Sequence, residues 1–178
     1  QQVDGFIITP THGLKESIIQ LQKEKKPFVL FDRYFPDVNT SYVVLDNFSG
    51  AYDMTNYLFS KGYSKIAFVT IKSNMIQMTE RLEGYKSALK KNKIPFDKDL
   101  VLQVPFLPAM EGAMEKIKSF IALHQKDVDA IFFATNYLGI LGLECISDFD
   151  IAIPDDIAIA SFDDHDLFRI YKPGVTVV

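Results

Sequence analysis

Short apolar runs alternate along the chain with stretches whose apolar positions recur at helical spacing. The runs are Val3–Thr9, Pro27–Phe31, Tyr42–Leu45, Lys65–Thr70, Leu100–Val104, Ala130–Phe133 and Ile157–Phe162. They are apolar almost throughout rather than strictly alternating, which is how strands covered on both faces read in a parallel sheet. Between them, Leu14, Ile18 and Leu21 mark one face of a helix over Leu14–Lys25. Ser49–Lys61 is a second helix, stopped by Gly62 as a C′ glycine, and Asp46-Asn47 precede it as a cap. Leu82, Tyr85, Ala88 and Leu89 predict a helix over Thr79–Lys91, Met114, Ile117 and Ile121 one over Met110–Gln125, and Leu138, Leu141 and Cys145 one over Tyr137–Asp148. Strand and helix in strict succession imply right-handed βαβ units and an α/β fold.

Seven strands fit one sheet or two smaller ones, and the punctuation of the chain favours two. A helix ends at Gly62-Tyr63-Ser64 and a fresh βαβαβ series starts; a second break falls at Tyr171-Lys172-Pro173-Gly174, before an extended Val175–Val178. The expected division is residues 1–62 as part of an amino-terminal lobe, 63–172 as a carboxy-terminal lobe and 173–178 as a crossover returning to the first. No internal repeat or low-complexity tract is visible.

Composition narrows the functional classes. The 178 residues are 48% hydrophobic and 24% charged, the balance of a folded globular protein rather than a disordered one. With 19 basic and 23 acidic residues the formal net charge is −4, so the basic excess of a nucleic-acid-binding surface is missing. The dense basic group Lys23, Lys25 and Lys26 sits at a helix end, where cations favour the dipole. The single cysteine, Cys145, allows no intrachain disulfide and fits a reducing compartment. No apolar run approaches the roughly 20 residues needed to span a bilayer, and no signal peptide is read in Gln1-Gln2-Val3-Asp4.

In open α/β sheets, ligands bind beyond the carboxyl ends of the strands. The positions there are Thr9-Pro10, Asp32-Arg33, Asp46-Asn47, Ile71–Asn74, Thr135-Asn136 and Asp163-Asp164, most of them able to hydrogen-bond. Arg81, at the start of its helix, can fork onto adjacent hydroxyls or a carboxylate, or pair on the surface with Glu80 or Glu83. Asp163 ends a very apolar strand and can accept from hydroxyls or an amine. The enzyme signals are poor. Ser161, His165 and Asp166 stand too close together for a triad, and no nucleophile elbow surrounds Ser161. Neighbouring residues of Asp163-Asp164-His165-Asp166 point different ways, against a metal site. No glycine-rich phosphate loop is present, because Gly139 and Gly142 lie within a helix. No catalytic residue, metal ligand or cofactor is expected.

The order and spacing of several short motifs resemble the effector-binding core of a LacI/GalR-type bacterial transcription regulator. They are Val3-Asp4-Gly5-Phe6-Ile7-Ile8, Pro27-Phe28-Val29-Leu30-Phe31-Asp32-Arg33, and Val44-Leu45-Asp46-Asn47 with Gly50-Ala51. They continue with Gly62-Tyr63-Ser64-Lys65-Ile66-Ala67, Arg81 with Gly84-Tyr85 and Ala88-Leu89, and Asn136 with Gly139 to Gly142. Ile153-Pro154-Asp155-Asp156-Ile157-Ala158, Phe162-Asp163-Asp164, and Pro173 with Val175–Val178 complete the set. Tyr137 stands where the family pattern has an acid, and Ser161 where it has a glycine.

The resemblance implies two doubly wound parallel-sheet lobes of periplasmic-binding-protein-like, type I architecture, with the amino-terminal lobe incomplete. It implies effector contacts at Arg81, Asn136 and Asp163, with Ser73 and Asn74 as looser candidates and Phe106 or Leu107 as an apolar wall. The effector would be a small molecule, a sugar or sugar derivative, bound between the lobes. The expected partners are a second copy of the chain in a homodimer, through the Tyr137–Asp148 region, and operator DNA, reached only through a headpiece absent from these residues. A cytoplasmic, membrane-free protein follows. A periplasmic sugar-binding protein of a transport system shares fold and cleft and is the alternative; an α/β enzyme is a further one.

Overall fold

A computed structural model of the chain describes residues 3–105 and 110–178. The α/β rhythm is present as two parallel sheets. The smaller holds β1 (Phe6–Ile8), β2 (Phe28–Phe31) and β3 (Tyr42–Val43) in that order, with α1 (Lys15–Lys23) between the first two strands. Phe6 faces Phe28 across the ladder and Leu30 faces Tyr42. Its core is small: Ile18, Leu30 and Val38, with partly buried neighbours such as Phe28 and Tyr34. Within these residues one helix and short loops cover the sheet only in part, as expected of an incomplete amino-terminal lobe: Ile7 is 81% and Val43 57% exposed.

The larger sheet has the order β5-β4-β6-β7-β8, all parallel. Its strands are β4 (Ile66–Lys72), β5 (Val101–Pro105), β6 (Ala130–Phe133), β7 (Ala158–Ser161) and β8 (Thr176–Val177). Its helices are α2 (Asn47–Ser60), α3 (Ile76–Lys91), α4 (Met110–His124), α5 (Asn136–Ile146) and the short α6 (Asp166–Ile170). Here the both-faces reading holds: β4 is buried from Ile66 to Ile71, and β6 and β7 are buried at every position. Phe68 of β4 stacks on Tyr85 of α3 at 4.9 Å and meets Phe132 of β6 edge-on at 5.3 Å. The Tyr85 hydroxyl donates to the Ile66 carbonyl at 2.8 Å, which sets α3 against its strand.

Three boundaries differ from the sequence reading. Helix α2 belongs to the larger unit, not to the lobe expected to end at residue 62: Ala51, Met54 and Leu58 are buried in the larger core. Its partner α3 carries Gly84, where a Cβ would stand 2.3 Å from the Phe48 carbonyl oxygen, so only glycine permits this helix–helix approach. Residues 173–178 do not return to the first unit. Thr176–Val177 pair with β7, and the Val178 amide donates to the Ser161 carbonyl at 3.0 Å. That pairing satisfies an edge of β7 that would otherwise be open. Finally, α3 begins at Ile76, three residues before its expected start, and so takes Gln77 and Met78 into the helix.

The strand order decides where a site can form. After β4 the chain places β5 on one side, then crosses to place β6 on the other. This reversal opens a crevice beyond the carboxyl ends of β4 and β6. The segments entering it are the β4–α3 loop, the start of α3 and the β6–α5 turn.

Candidate functional site

At the carboxyl end of β6, Thr135 caps α5, its hydroxyl accepting from the Leu138 amide at 3.4 Å. At the end of β7, Asp163 sits in the left-handed region at φ 67°, and at the end of β2, Asp32 does the same at φ 68°. A left-handed non-glycine residue costs free energy, and such residues gather at functional sites. These three strand ends and the first turns of α3 surround a cavity of about 310 Å³. The smaller unit contributes Asp32 and Arg33; α3 contributes Gln77, Met78 and Arg81; Thr135, Tyr137 and Asp163 close the far side. A wider cavity of about 570 Å³ adjoins it, reaching Thr11 and Tyr34 and sharing Arg33, Met75 and Gln77.

Arg81 organises this wall. It is 4% exposed. Its Nε donates to Asn47 Oδ1 at 2.9 Å, and Nη1 donates to the Ala134 carbonyl at 2.6 Å and to Asp163 Oδ2 at 3.2 Å. The guanidinium lies 3.6 Å from the centre of the Phe162 ring, a cation–π stack. Burial pushes the Arg81 pKa down, and Asp163 pulls it partly back; a guanidinium so paired stays charged. The sequence reading also allowed surface pairs with Glu80 or Glu83. Glu83 instead pairs with Lys86 at 2.8 Å. Glu80 accepts from buried Asn47 at 3.2 Å and from the Tyr34 hydroxyl at 3.4 Å. A polar chain therefore runs Asp163–Arg81–Asn47–Glu80–Tyr34, from the cavity to the smaller unit. Tyr137 is half-buried; burial raises its phenol pKa, while its bond to Thr135 and the charges of Arg33 and Arg81 lower it.

The other expected site residues fall in different places. Asn136 does not line the 310 Å³ cavity; its Nδ2 donates to the Asp164 carbonyl at 3.1 Å, tying α5 to the loop that presents Asp163. Its neighbours Thr135 and Tyr137 face the cavity in its stead, because Asn136 is the first residue of α5 and turns its side chain toward that loop. Ser73 accepts from the Met75 amide at 3.1 Å and shapes the loop before α3. Asn74 is exposed on the wall of the wider cavity. Phe106 and Leu107 lie outside the described residues. Gln77 and Met78 went unread because their segment lacks a capping signal: Met75 precedes α3 without a side-chain cap. The usable clue was the four-residue spacing from Gln77 to Arg81, which puts both on one helix face.

Two features bear on the enzyme alternative. Ser161 is fully buried and its hydroxyl donates to the Phe162 carbonyl at 3.0 Å, so it is no exposed nucleophile. Among the described residues no group of three or more His, Cys, Asp or Glu is placed to hold a metal ion. No helix among them is long and apolar enough to cross a membrane.

Comparison with known proteins agrees with the fold. The family described as periplasmic binding proteins and sugar binding domain of LacI family matches residues 1–167. The HTH-type transcriptional regulator CelR of Thermobifida fusca is 27% identical over 180 residues, covering 100% of this chain and 52% of that protein. The HTH-type transcriptional repressor CytR of Escherichia coli is 24% identical over 178 residues, covering 100% of this chain and 51% of that protein. The chain spans about half the length of the curated relatives it matches. Among solved structures, the CelR–cellobiose complex superposes with a TM-score of 0.85 at 26% identity, covering 99% of this chain and 54% of that one. A LacI family regulator from Enterococcus faecium with bound ribose gives 0.81 at 27% identity, covering 98% and 64%. With the parallel sheets, the strand-end crevice and this match over nearly its whole length in view, the chain belongs to the family of periplasmic binding proteins and LacI-type sugar-binding domains.

Proposed function

We propose that this chain is the ligand-sensing part of a bacterial transcription regulator, binding a sugar or sugar derivative in the crevice between its two units. The observation that carries the reading is the buried Arg81–Asp163 pair, facing Asp32 and Arg33 of the smaller unit across one cavity. A fork of donors next to carboxylates suits the mixed donor and acceptor hydroxyls of a sugar. Relatives with 26% and 27% identity were solved with cellobiose and with ribose, which supports the class. A ligand touching both units favours the arrangement in which they close on it, by no more than its difference in affinity for the two arrangements. DNA would be contacted through a helix-turn-helix region outside these residues, and ligand and DNA would then alter each other's affinity reciprocally.

A homodimer belongs to the same proposal. A groove of about 510 Å³ on α5 and α6 is lined by Ile140, Leu143, Leu167, Ile170 and Tyr171, with Glu144 and Ser147 at its edge. Ile170 is 71% and Leu167 47% exposed, an apolar patch that fits a second copy of the same surface.

The test is a thermal-shift and calorimetry screen of sugars on the full-length protein, since a binder raises apparent stability by mass action. A sugar should raise Tm, and Asp163→Asn should weaken that sugar at least tenfold. Binding unaffected by Asp163→Asn would remove the site from this crevice.

A further inference from the structure

The segment from Asp163 to Tyr171 borders the crevice at one end and the apolar groove at the other. Asp163 lines the 310 Å³ cavity, and Leu167, Ile170 and Tyr171 line the 510 Å³ groove. Between them Asp164 is a fixed point. Its carbonyl accepts from Asn136 of α5, one carboxylate oxygen accepts from the His165 amide at 2.7 Å, and the other pairs with Arg169. Helix α6 follows, with five residues. A helix this short does not stand by propensity alone, so its end bonds and its packing decide whether it forms. Phe168, 1% exposed, supplies the packing.

His165 supplies the cap. Its backbone is extended, and its Nδ1 accepts from the Leu167 amide at 3.2 Å. Serine, threonine, asparagine and aspartate are the residues that usually fill this position. The first three keep their acceptor at every pH, and a carboxylate keeps it down to about pH 4. An imidazole accepts at Nδ1 only while that nitrogen is bare, because the imidazolium donates from both nitrogens. Imidazoles take up their proton between roughly pH 5 and 8. A cation there also opposes the positive end of the helix dipole. The cap of α6 is therefore conditional on a proton.

The charged groups beside the ring are Asp164 and Asp166, its neighbours in the chain, and Arg169, one turn along α6. Asp163 stands just before them, paired with Arg81, and Asn136, reaching over from α5, is neutral. The Phe168 ring meets the imidazole edge-on, centroids 6.1 Å apart. The bond from Arg169 holds the Asp164 carboxyl below its ordinary value, so Asp164 stays ionised where imidazoles titrate. We infer that His165 is a proton-sensitive cap: uncharged, it orders α6 and the groove that α6 helps to form; protonated, it releases both. The part concerning the groove rests on the homodimer proposed above; the cap does not.

The test compares the full-length protein at about pH 8 and about pH 5.5, on either side of imidazole titration, at one ionic strength. Sedimentation equilibrium reads the dimer dissociation constant. Hydrogen exchange followed by mass spectrometry reads the amides of residues 166–171, corrected for the intrinsic effect of pH. Acidification should weaken the parent dimer by about fivefold or more, the factor that a lost cap implies, and should lower the protection of the α6 amides. His165→Asn, which caps without titrating, should hold both near their high-pH values. His165→Ala, which cannot cap, should show the low-pH values throughout. A pH dependence that persists in His165→Asn belongs to other groups and overturns the inference, as does a parent whose α6 protection is the same at both pH values. A pH-insensitive dimer whose α6 protection still falls overturns the link to the groove. A parent monomeric at both pH values refutes the homodimer, and the exchange pattern alone then decides the cap.

Discussion

Replacing Arg81 by methionine tests the account of the crevice wall most directly. The substitution keeps an unbranched stem but removes every donor. Asn47 Oδ1 and the Ala134 carbonyl each lose a bond from the guanidinium, and both residues are almost wholly buried, at 2% and 0% exposed. An orphaned buried acceptor costs about 1–3 kcal/mol. The Asp163 side chain is 37% exposed, so water can take over and its loss counts for ~1 kcal/mol or less. The stack on Phe162 is worth about 1–2 kcal/mol, of which a methionine sulfur on the ring recovers part. Against these stands the relief of no longer burying a cation. The net expectation is a destabilisation of ~2–4 kcal/mol, within the range for breaking a buried charged network. With a urea slope of roughly 2 kcal/mol per molar for a chain of this size, the unfolding midpoint should fall by about 1–2 M. Far-UV circular dichroism reads it; the chain has no tryptophan, so tyrosine emission is the second probe. A midpoint within ~0.3 M of the parent, or full stability in Arg81→Lys, which keeps charge but not the planar fork, would refute the reasoning.

Two other predictions concern distant parts of the molecule. If the full-length protein is the homodimer proposed above, Ile170→Glu, which places a charge in the apolar groove of α5 and α6, should convert it to monomer in sedimentation equilibrium at micromolar concentration; a parent that is itself monomeric refutes the homodimer, and a dimer unchanged by the substitution refutes this interface. Partial burial works to raise the Asp129 pKa, but hydrogen bonds from the Ser64 and Lys65 amides and the Ser64 hydroxyl outweigh it and hold the carboxyl below its ordinary value. A carboxyl lowered on folding contributes stability that is present above the ordinary carboxylate pKa, near pH 4, and is lost as pH falls through the lowered folded value. Asp129→Ala should therefore cost about 1 kcal/mol at neutral pH and flatten the acid limb of the stability profile. An acid limb identical to the parent's would show that Asp129 takes no part in it.

Much of this site was legible before any coordinates. Arg81 and Asp163 stood out because a fork of donors opening a helix and a carboxylate ending an apolar strand are local patterns. Asp32-Arg33 and Thr135 were marked by the strand-end rule alone. Asn136 was chosen by the same rule, but which of three consecutive residues faces the cavity depends on where the helix starts: Thr135 is the cap, so Asn136 turns toward the Asp163 loop and Tyr137 toward the cavity. Gln77 escaped because a helix that starts without a capping side chain leaves no mark in the sequence.

Hydrophobic periodicity by itself determined the α/β class, the parallel strands and the positions of five helices, because burial on one face or on two imposes its period on neighbouring residues. Only the tertiary structure decided what joins across distance. Helix α2 packs on α3, although it follows the smaller sheet in the chain, since Gly84 leaves room for its backbone. The last strand pairs with β7 because an open strand edge with a matching register was there to be filled. Arg33 and Gln77, 44 positions apart, come to border the same cavities. No local pattern encodes such pairings; they follow from which surfaces fit once every element exists.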